Sequence, residues 1–483
     1  MSEGEGKPPV VIVNPETKVT SGTDVQDKLI SAARVFSDLL KPTFGPRGLD
    51  KMLYKTDGTT AVTNDGAKIV AELMVKHPAA KMMVSMGNSQ EEGCGDGVTT
   101  TMLLCGSLLQ EASNLLRKGL HPLTLVDGYR SALAAATEQM DADTHDVSDE
   151  RLAAVAETAL RGKGAEAALD HFSPIITEAL SVLAANRDDA GAEHVAMFKT
   201  GTGEMRDSRL VRGVVVNRRV LMDTLPNRLS DAKVAVLGGD LKIRSMTRDA
   251  EIQITSADQL DSFVDAEQDR KRAIADAVIA SGARVVLCTG EVDRDVLHHL
   301  AGVEVLAVGE LDESEIRNAA DAVGANIVDS ILDIEADDLG ICGSLVWERR
   351  EASDQVEDII RIDDCPSPRA VTIEVGGGGD TGTEEVIRGL HDALRATSLA
   401  IAGGELLPGA GSIHARMAHA VRRASEAEPG RARLAMDAYA RALETIPATL
   451  VENSGGDVLD RICLLYTSPS PRDLSTSRMP SSA

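Results

Sequence analysis

The chain has 483 residues, which is too long for one ordinary hydrophobic core and predicts two or three domains. Its 50 Lys and Arg residues against 76 Asp and Glu residues give a net charge of −26, and such a surface would repel nucleic acid and anionic lipid. The acidic residues are spread along the chain, and only 2% of the residues are aromatic. This composition suggests a halophilic source with a high-salt cytosol, and an acidic mesophilic protein is the alternative.

The six cysteines form no Cys-x-x-Cys pair, so neither a zinc knuckle nor a disulfide framework is predicted. Reduced thiols are typical of cytoplasmic proteins, and we expect that location. The first residues carry no apolar leader, and no apolar run is long enough to span a bilayer. We therefore expect no membrane partner.

The first predicted helix begins at Thr23, whose hydroxyl suits a helix N-cap, and runs to about Leu40. Pro42 ends this helix, because the residue before a proline avoids the α region. Residues 43–48 then form a tight loop at the helix end.

Residues 51–62 are typical of a β-hairpin around Asp57-Gly58, a strong short-range turn signal. A second turn at 63–66 precedes a helix that we predict from Ala67 to about Lys76. The pair His77-Pro78 then breaks that helix, and another helix follows.

Residues 93–101 combine glycines, one carboxylate and a threonine run directly before an apolar helical run. Glycines allow tight turns whose N–H groups can face an oxyanion, and the start of a helix adds further N–H donors. Asp96 would repel phosphate unless a cation lay between them, so the stretch predicts Mg²⁺ with a nucleotide. A glycine turn before a capped helix is the alternative that these residues leave open. The turns at 43–48, 63–66 and 93–101 can converge on one phosphate–metal site.

Residues 131–186 are alanine-rich and are predicted to be helical. From about residue 214 to residue 348, short β-rich runs alternate with helical runs, which predicts an α/β domain with a partly parallel sheet. The predicted strands are 232–237, 284–288 and 303–308, and the predicted helices are 265–281, 293–301 and 312–323. A further helix is predicted over 383–394.

Several motifs occur in an order and spacing that resemble the equatorial segment of group II chaperonins, the family of the archaeal thermosome subunits. They are Thr43-Phe44-Gly45-Pro46, Thr63-Asn64-Asp65-Gly66-Ala67, His77-Pro78-Ala79-Ala80-Lys81-Met82, Gly95-Asp96-Gly97-Val98-Thr99-Thr100, His121-Pro122 and Gly128-Tyr129-Arg130. The resemblance extends from about Val19 to Ile462, most of the chain.

The resemblance implies a multi-domain α/β fold, with a mostly helical equatorial ATPase domain, a small α+β intermediate domain and an α/β apical domain that carries a helical protrusion. The implied segments are equatorial 1–142, intermediate 143–212, apical 213–364, intermediate 365–399 and equatorial 400–463, followed by a disordered, aberrant tail at 464–483 that suggests a truncated or frame-shifted end. Residues 250–256 resemble the protrusion, although the alternation of Ile252 and Ile254 suits a half-buried strand equally well.

The resemblance also implies ATP hydrolysis, with ATP and Mg²⁺ as cofactors and K⁺ as a further candidate ion. Asp392 would activate the attacking water, Asp65 would flank that water, and Asp96 would hold Mg²⁺. Lys163 resembles a nucleotide-sensing lysine, and its alternative is a solvated lysine in a helix–helix turn. The other implied nucleotide-binding residues are Thr43, Phe44, Gly45, Pro46, Gly95, Gly97, Val98, Thr99, Thr100, Gly409 and Gly411.

As partners, the resemblance implies unfolded or partly folded polypeptides and related subunits in a homo- or hetero-oligomeric double ring. Apolar side chains on the protrusion would grip the unfolded chains. Neither nucleic acid nor a membrane is expected to bind. The implied function is ATP-dependent protein folding, in which hydrolysis is coupled to closure of a lid.

Three positions depart from the family pattern. Val98 replaces a threonine, Ala410 replaces the middle one of three glycines, and His414 replaces a usual glutamate. These departures motivate an alternative, a divergent structural or regulatory ring subunit that binds nucleotide weakly and does not hydrolyse it. The three retained aspartates favour the ATPase. A small-molecule kinase is disfavoured, because the chain has no Walker Gly-Lys-Ser/Thr or kinase Asp-Phe-Gly pattern.

Overall fold

The structure is a computed structural model that describes residues 22–54, 60–243, 257–352, 355–377 and 380–459. The chain divides into two compact units. Unit 1 comprises Met1–Asp146 and Glu405–Ala483, and unit 2 comprises Val147–Gly404. The mixture of helices and sheets agrees with the predicted multi-domain α/β class, whereas the division into equatorial, intermediate and apical segments stays a prediction. In the described ranges, no helix is both long enough and apolar enough to cross a membrane.

The first part of unit 1 is mostly helical. Its elements are α1 (Thr23–Leu40), β1 (Lys51–Tyr54), β2 (Thr60–Thr63), α2 (Gly66–Glu72), α3 (Pro78–Cys94), α4 (Val98–Arg117), α5 (Pro122–Ala142) and β3 (His145–Asp146). Strands β1 and β2 pair antiparallel as the hairpin pattern predicted, and the predicted turn at Asp57-Gly58 lies outside the described residues. Helices α3 and α5 both begin with a His-Pro pair, in which Nδ1 of His77 or His121 accepts a backbone N–H at 3.2 Å.

Two predicted details in this part are wrong. The N-cap of α1 is Gly22, with φ +68°, so Thr23 is the first helical residue rather than the cap. Helix α2 ends at Glu72 instead of about Lys76, because Leu73 already has an extended backbone with ψ 115°. The apolar residues of α1 to α4 form one core, which includes Phe36, Val70 and Met102.

Unit 2 contains two sheets and the helices that pack on them. Its elements are α6 (Asp149–Leu160), α7 (Leu169–Asn186), β4 (Val195–Lys199), β5 (Arg209–Val211), β6 (Val214–Asn217), β7 (Arg228–Leu237), α8 (Ala257–Ser281), β8 (Val285–Cys288), α9 (Arg294–Ala301), β9 (Leu306–Val308), α10 (Glu313–Val323), β10 (Ile327–Val328), β11 (Gly340–Ala352), β12 (Gln355–Asp363), β13 (Val371–Val375) and α11 (Asp380–Gly403).

The larger sheet of unit 2 has seven strands in the order β6-β12-β11-β7-β8-β9, with β10 also paired to β7. Strands β7, β8 and β9 are parallel, whereas β11 and β12 are antiparallel to their neighbours, so the partly parallel sheet predicted from the sequence is confirmed. Helices α8, α9 and α10 separate the strands as predicted. Residues 250–256, the predicted protrusion, lie outside the described residues.

The smaller sheet has the order β4-β13-β5, and its strands pack with α6, α7 and α11 around a second core of unit 2. Phe172, Ile176 and Leu180 of α7 are fully buried in that core, and Pro174 lies inside the same helix. Helix α11 includes the predicted helix at 383–394 and extends it at both ends.

The chain returns to unit 1 through β14 (Glu405–Leu406), α12 (Ser412–Ala427) and α13 (Ala432–Asn453). Strand β14 pairs antiparallel with β3. Helices α5, α12 and α13 enclose a second core of unit 1 that includes Ala132, Val421 and Leu443. Helix α4 packs against both α1 and α13, and thereby connects the two parts of unit 1.

Candidate functional site

Four glycine-containing turns lie at helix ends in unit 1, and we call them the four glycine turns. They are residues 41–49, residues 63–66, residues 95–97 and residues 409–411. Between them they carry most of the nucleotide-binding residues that the sequence predicts.

The turn at 95–97 joins α3 to α4. Gly95 and Gly97 both have left-handed backbones, with φ +68° and +86°, which glycine adopts without steric cost. Oδ1 of the exposed Asp96 accepts the N–H of Gly97 at 2.8 Å, and Nε2 of Gln90 donates to the Asp96 carbonyl at 3.0 Å. Gly97 is the N-cap of the 20-residue helix α4 and has no side chain to cap it. The first N–H groups of α4 therefore face the turn, where an anion would be stabilised.

The side chains of residues 98–100, which follow this turn, differ in burial. Val98 is 3% exposed and packs in the core beside Val70 and Met102. The position that departs from the family pattern therefore lies in the core of unit 1. Thr99 and Thr100 are half-buried at the first turn of the helix.

The turn at 63–66 contacts the start of α4. Oδ1 of Asp65 caps α2 by accepting the N–H of Ala67 at 2.9 Å. A Cβ atom at Gly66 would lie 2.1 Å from Oγ1 of Thr99, so only glycine allows this approach. The structure thus brings Asp65 close to Thr99, as the predicted convergence of turns requires.

The turn at 41–49 follows α1. Thr43 is buried, and its Oγ1 donates to the Leu40 carbonyl at 2.8 Å. Gly45 has φ +85°, and a Cβ atom there would lie 2.5 Å from Cδ2 of Leu450 on α13. The N–H groups of Gly48 and Leu49 close the turn by donating to the carbonyls of Gly45 at 2.9 Å and Pro42 at 2.8 Å.

The turn at 409–411 starts α12. Gly411 is the N-cap of that helix, and a Cβ atom there would lie 3.0 Å from Cα of Pro447 on α13. Ala410 has φ +56°, a left-handed backbone that is strained for any residue with a Cβ atom. The alanine that departs from the family pattern thus occupies a conformation that suits glycine.

His414 follows this turn in α12. Its Nδ1 is buried and has no hydrogen-bond partner among the described residues. Burial lowers the pKa of the His414 imidazole, so the neutral form is favoured.

Lys163 and Asp392 lie in unit 2. Lys163 belongs to the turn between α6 and α7, and Asp392 belongs to α11. Lys163 Nζ lies 2.5 Å from Asp392 Oδ2, and the two side chains are only 21% and 17% exposed. The stem of Lys163 passes over Gly389, where a Cβ atom would lie 3.4 Å from the Cβ of Lys163. Lys163 is therefore an ordered, half-buried partner of Asp392 rather than a solvated lysine.

Within the described residues, no group of three or more His, Cys, Asp or Glu side chains could hold a metal ion by itself. Mg²⁺ in nucleotide sites needs only one or two carboxylates, because phosphate oxygens and waters complete its shell. The exposed carboxylate of Asp96 at the start of α4 fits that requirement.

Comparison with known proteins assigns the family. A sequence model of the TCP-1/cpn60 chaperonin family matches residues 36–470. The chain belongs to this family. The predicted resemblance to group II chaperonins is thereby confirmed.

Among the relatives of this chaperonin chain are three thermosome subunits. The thermosome subunit alpha of Archaeoglobus fulgidus is 38% identical over 460 residues, which cover 94% of this chain and 83% of the relative. The thermosome subunit of Pyrococcus horikoshii is 35% identical over 460 residues, with coverage of 94% and 83%. The thermosome subunit alpha of Halobacterium salinarum is 34% identical over 465 residues, with coverage of 96% and 82%.

Three residues that support the turns could not be recognised from the sequence. Gln90, Leu450 and Asn453 contact the turn backbones, yet none of them belongs to a glycine motif. Asn453 lies 409 residues from Phe44, and sequence alone gives no signal for a contact at that distance. Gln90 lies only six residues from Asp96, yet it is not part of the glycine motif.

Proposed function

We propose that this chaperonin chain is an ATP-hydrolysing subunit of a protein-folding double ring. The observation that carries the proposal is the contact between Gly66 and Thr99, which sets the Asp65 turn against the glycine turn and helix start at 95–100. This contact brings the Asp65 turn, with its carboxylate, to the N–H groups and hydroxyls at the start of α4, and phosphoryl transfer requires groups of these kinds.

In this proposal the chain holds the nucleotide mainly through its backbone. The turn at 43–46 and Gly97 offer N–H groups to the phosphates, and Gly409 and Gly411 border the same nucleotide. The hydroxyls of Thr99 and Thr100 donate to phosphate oxygens. Asp96 would hold Mg²⁺, which neutralises phosphate charge when it is bound.

Hydrolysis would use Asp392 to orient and deprotonate the attacking water, with Asp65 beside that water. Lys163 fixes the Asp392 side chain through the 2.5 Å contact and would respond to the state of the nucleotide. We propose that Asp392 reaches the nucleotide only when the ring closes, so that hydrolysis and lid closure are coupled.

The curated relatives include subunits named alpha and beta in one organism, which supports assembly with related subunits. Unfolded or partly folded polypeptides would be the clients, and the cytoplasm the location. Residues 250–256 remain the proposed client-binding protrusion.

Light scattering combined with phosphate release in concentrated KCl with Mg-ATP tests the proposal. We expect a very large particle that hydrolyses ATP. A large particle without phosphate release would support the alternative, a regulatory subunit that does not turn over. A monomer that binds no nucleotide would contradict both functions for this chain.

We also propose a halophilic origin, which the net charge of −26 supports. Salt screens the repulsion between carboxylates, so the melting temperature should rise steeply in molar KCl. A melting temperature that does not depend on KCl concentration would rule out this origin.

A further inference from the structure

The side chain of Asn453, the last residue of α13, contacts the turn at 41–49. Its Nδ2 donates to the carbonyl of Lys41 at 2.8 Å and to the carbonyl of Phe44 at 2.8 Å. The side-chain amide of Asn453 thus binds the first residue of this turn and the residue directly before Gly45. Asn453 is half-buried, so these bonds are partly shielded from water.

The neighbours of Asn453 on α13 support the same turn. Leu450 fills the space beside Gly45, where its Cδ2 lies 2.5 Å from the position that a Cβ atom would take. Glu452 pairs with Lys41, with Oε2 2.7 Å from Nζ. Pro447, one turn earlier, lies beneath Gly411. One face of α13 therefore contacts two of the four glycine turns.

We propose that Asn453 is a positioning residue, which orients the Phe44–Gly45 peptide so that the turn can accept a phosphate. This inference rests on the proposed nucleotide site and adds the residue that sets its geometry. A trans peptide is planar, with its C=O and N–H pointing in opposite directions. Because Asn453 fixes the carbonyl of Phe44 towards α13, the N–H of Gly45 points away from α13.

The direction of this peptide matters electrostatically. If the Phe44–Gly45 peptide turned over, a carbonyl oxygen would replace the N–H at the place offered to an anion. A carbonyl dipole repels phosphate where an N–H attracts it. Glycine tolerates both left-handed and right-handed backbone conformations, so Gly45 makes this peptide flip easy. The peptide therefore needs a restraint from outside the turn.

The substitutions Asn453→Ala and Asn453→Asp separate hydrogen bonding from packing. Asn453→Asp keeps the volume of the side chain but offers oxygen atoms to two carbonyl oxygens. We expect both variants to weaken Mg-ADP binding by roughly 10-fold or more, as the loss of two hydrogen bonds implies. The control is Asn114→Ala, which removes an amide that contacts Glu111 at 3.4 Å elsewhere in unit 1.

Two measurements on the full chain decide the matter. Isothermal titration with Mg-ADP gives the affinity, and hydrogen exchange without nucleotide follows the N–H groups of Gly48 and Leu49, which close the turn. We expect faster exchange at these two amides in both Asn453 variants, no change in α12, and unchanged exchange and affinity in Asn114→Ala.

Each outcome bears on a different claim. If wild-type protein binds Mg-ADP and both Asn453 variants bind it equally well, the positioning role is wrong and the nucleotide site stands. If wild-type protein binds no Mg-ADP, the proposed function fails, and hydrogen exchange still decides whether Asn453 holds the turn. Unchanged exchange at Gly48 and Leu49 in both variants would overturn the inference.

Discussion

The four glycine turns of unit 1 and the Lys163–Asp392 pair of unit 2 are built in different ways. The turns present backbone groups, and their shape depends on left-handed glycines and on the space left by missing side chains. The pair is made by one long and one short side chain from positions 229 residues apart, with Lys163 Nζ 2.5 Å from Asp392 Oδ2. Backbone turns offer N–H groups whose direction is set by the backbone and by the residues that hold it, as Asn453 does for the turn at 41–49. A side-chain pair can exchange partners, so it suits a step that is switched on and off.

Removing the Asp392 carboxylate should produce the largest effect, because it separates binding from chemistry. In Asp392→Ala the glycine turns are intact, so nucleotide affinity should stay within a few-fold of wild type. Hydrolysis should fall by about 100-fold or more, the usual loss for a general base. Phosphate release and titration with Mg-ADP measure the two quantities.

A suitable control for Asp392→Ala is Glu384→Ala, which removes an exposed carboxylate from the same helix. Glu384→Ala should leave both the nucleotide affinity and the rate of hydrolysis unchanged. Turnover at the wild-type rate in Asp392→Ala would remove Asp392 from its proposed role.

Side-chain pairing in unit 2 extends beyond Lys163, and Glu374 tests how much stability depends on it. Glu374 is 3% exposed on β13, where its oxygens accept from Arg209 Nε and Arg361 Nε, each at 2.6 Å. Arg361 belongs to β12, so this carboxylate connects the two sheets of unit 2. Glu374→Gln removes the buried charge that Arg209 and Arg361 share and should cost about 3 kcal/mol.

Urea unfolding monitored by the fluorescence of Trp347, the one tryptophan of the chain, measures this loss. Glu348 also pairs with Arg361, at 3.1 Å, but is 53% exposed. Glu348→Gln should therefore cost less than about 1 kcal/mol. An equal decrease in the free energy of unfolding in the two variants would show that the burial of Glu374 does not add to stability.

Much of unit 1 could be predicted from sequence because its signals are local. The turns at Gly45, Gly66 and Gly97 and the His-Pro helix starts depend on neighbouring residues. The end of α2 could not be predicted, because no proline or glycine follows Glu72 until His77-Pro78, so no local signal marks the extended backbone of Leu73.

Contacts between residues far apart in the sequence could not be predicted either. Nothing near Lys163 or near Asp392 indicates that they meet, and only the family resemblance gave each of them a role. Asn453 is 409 residues from Phe44, and a single amide at a helix end is an ordinary feature of sequences. In the larger sheet of unit 2, the alternation of strands and helices predicted the parallel part. The antiparallel pairing of β11 and β12 lay outside the predicted strands.

The turn at 409–411 allows a smaller test of the backbone argument. Ala410 is exposed and has φ +56°, so its left-handed backbone costs about 1–2 kcal/mol, whereas glycine is free of that cost. Ala410→Gly should stabilise the protein by up to about 1 kcal/mol, after the added entropy of the unfolded chain is subtracted.

Thermal unfolding measures this gain. Ala134→Gly, at an exposed position inside α5, should instead destabilise the protein by about 1 kcal/mol. A loss of stability in both variants would mean that Ala410 is not strained.

The smallest expected effect concerns pH. Burial lowers the folded-state pKa of His414, so the unfolded chain binds its proton more readily. Stability from this residue is present above the ordinary histidine pKa and declines as pH falls through that value towards the lower folded pKa. His414→Leu should therefore reduce the loss of melting temperature between pH 7.5 and pH 5.5. An identical pH dependence in wild type and His414→Leu would exclude a contribution from His414.

Single-turnover ATP hydrolysis tests the central claim most directly. Protein in excess over ATP, in concentrated KCl with Mg²⁺, should bind the nucleotide at the glycine turns and release one phosphate for each ATP bound. ATP that binds and is recovered intact would contradict the claim of hydrolysis and leave a nucleotide-binding subunit that does not turn over.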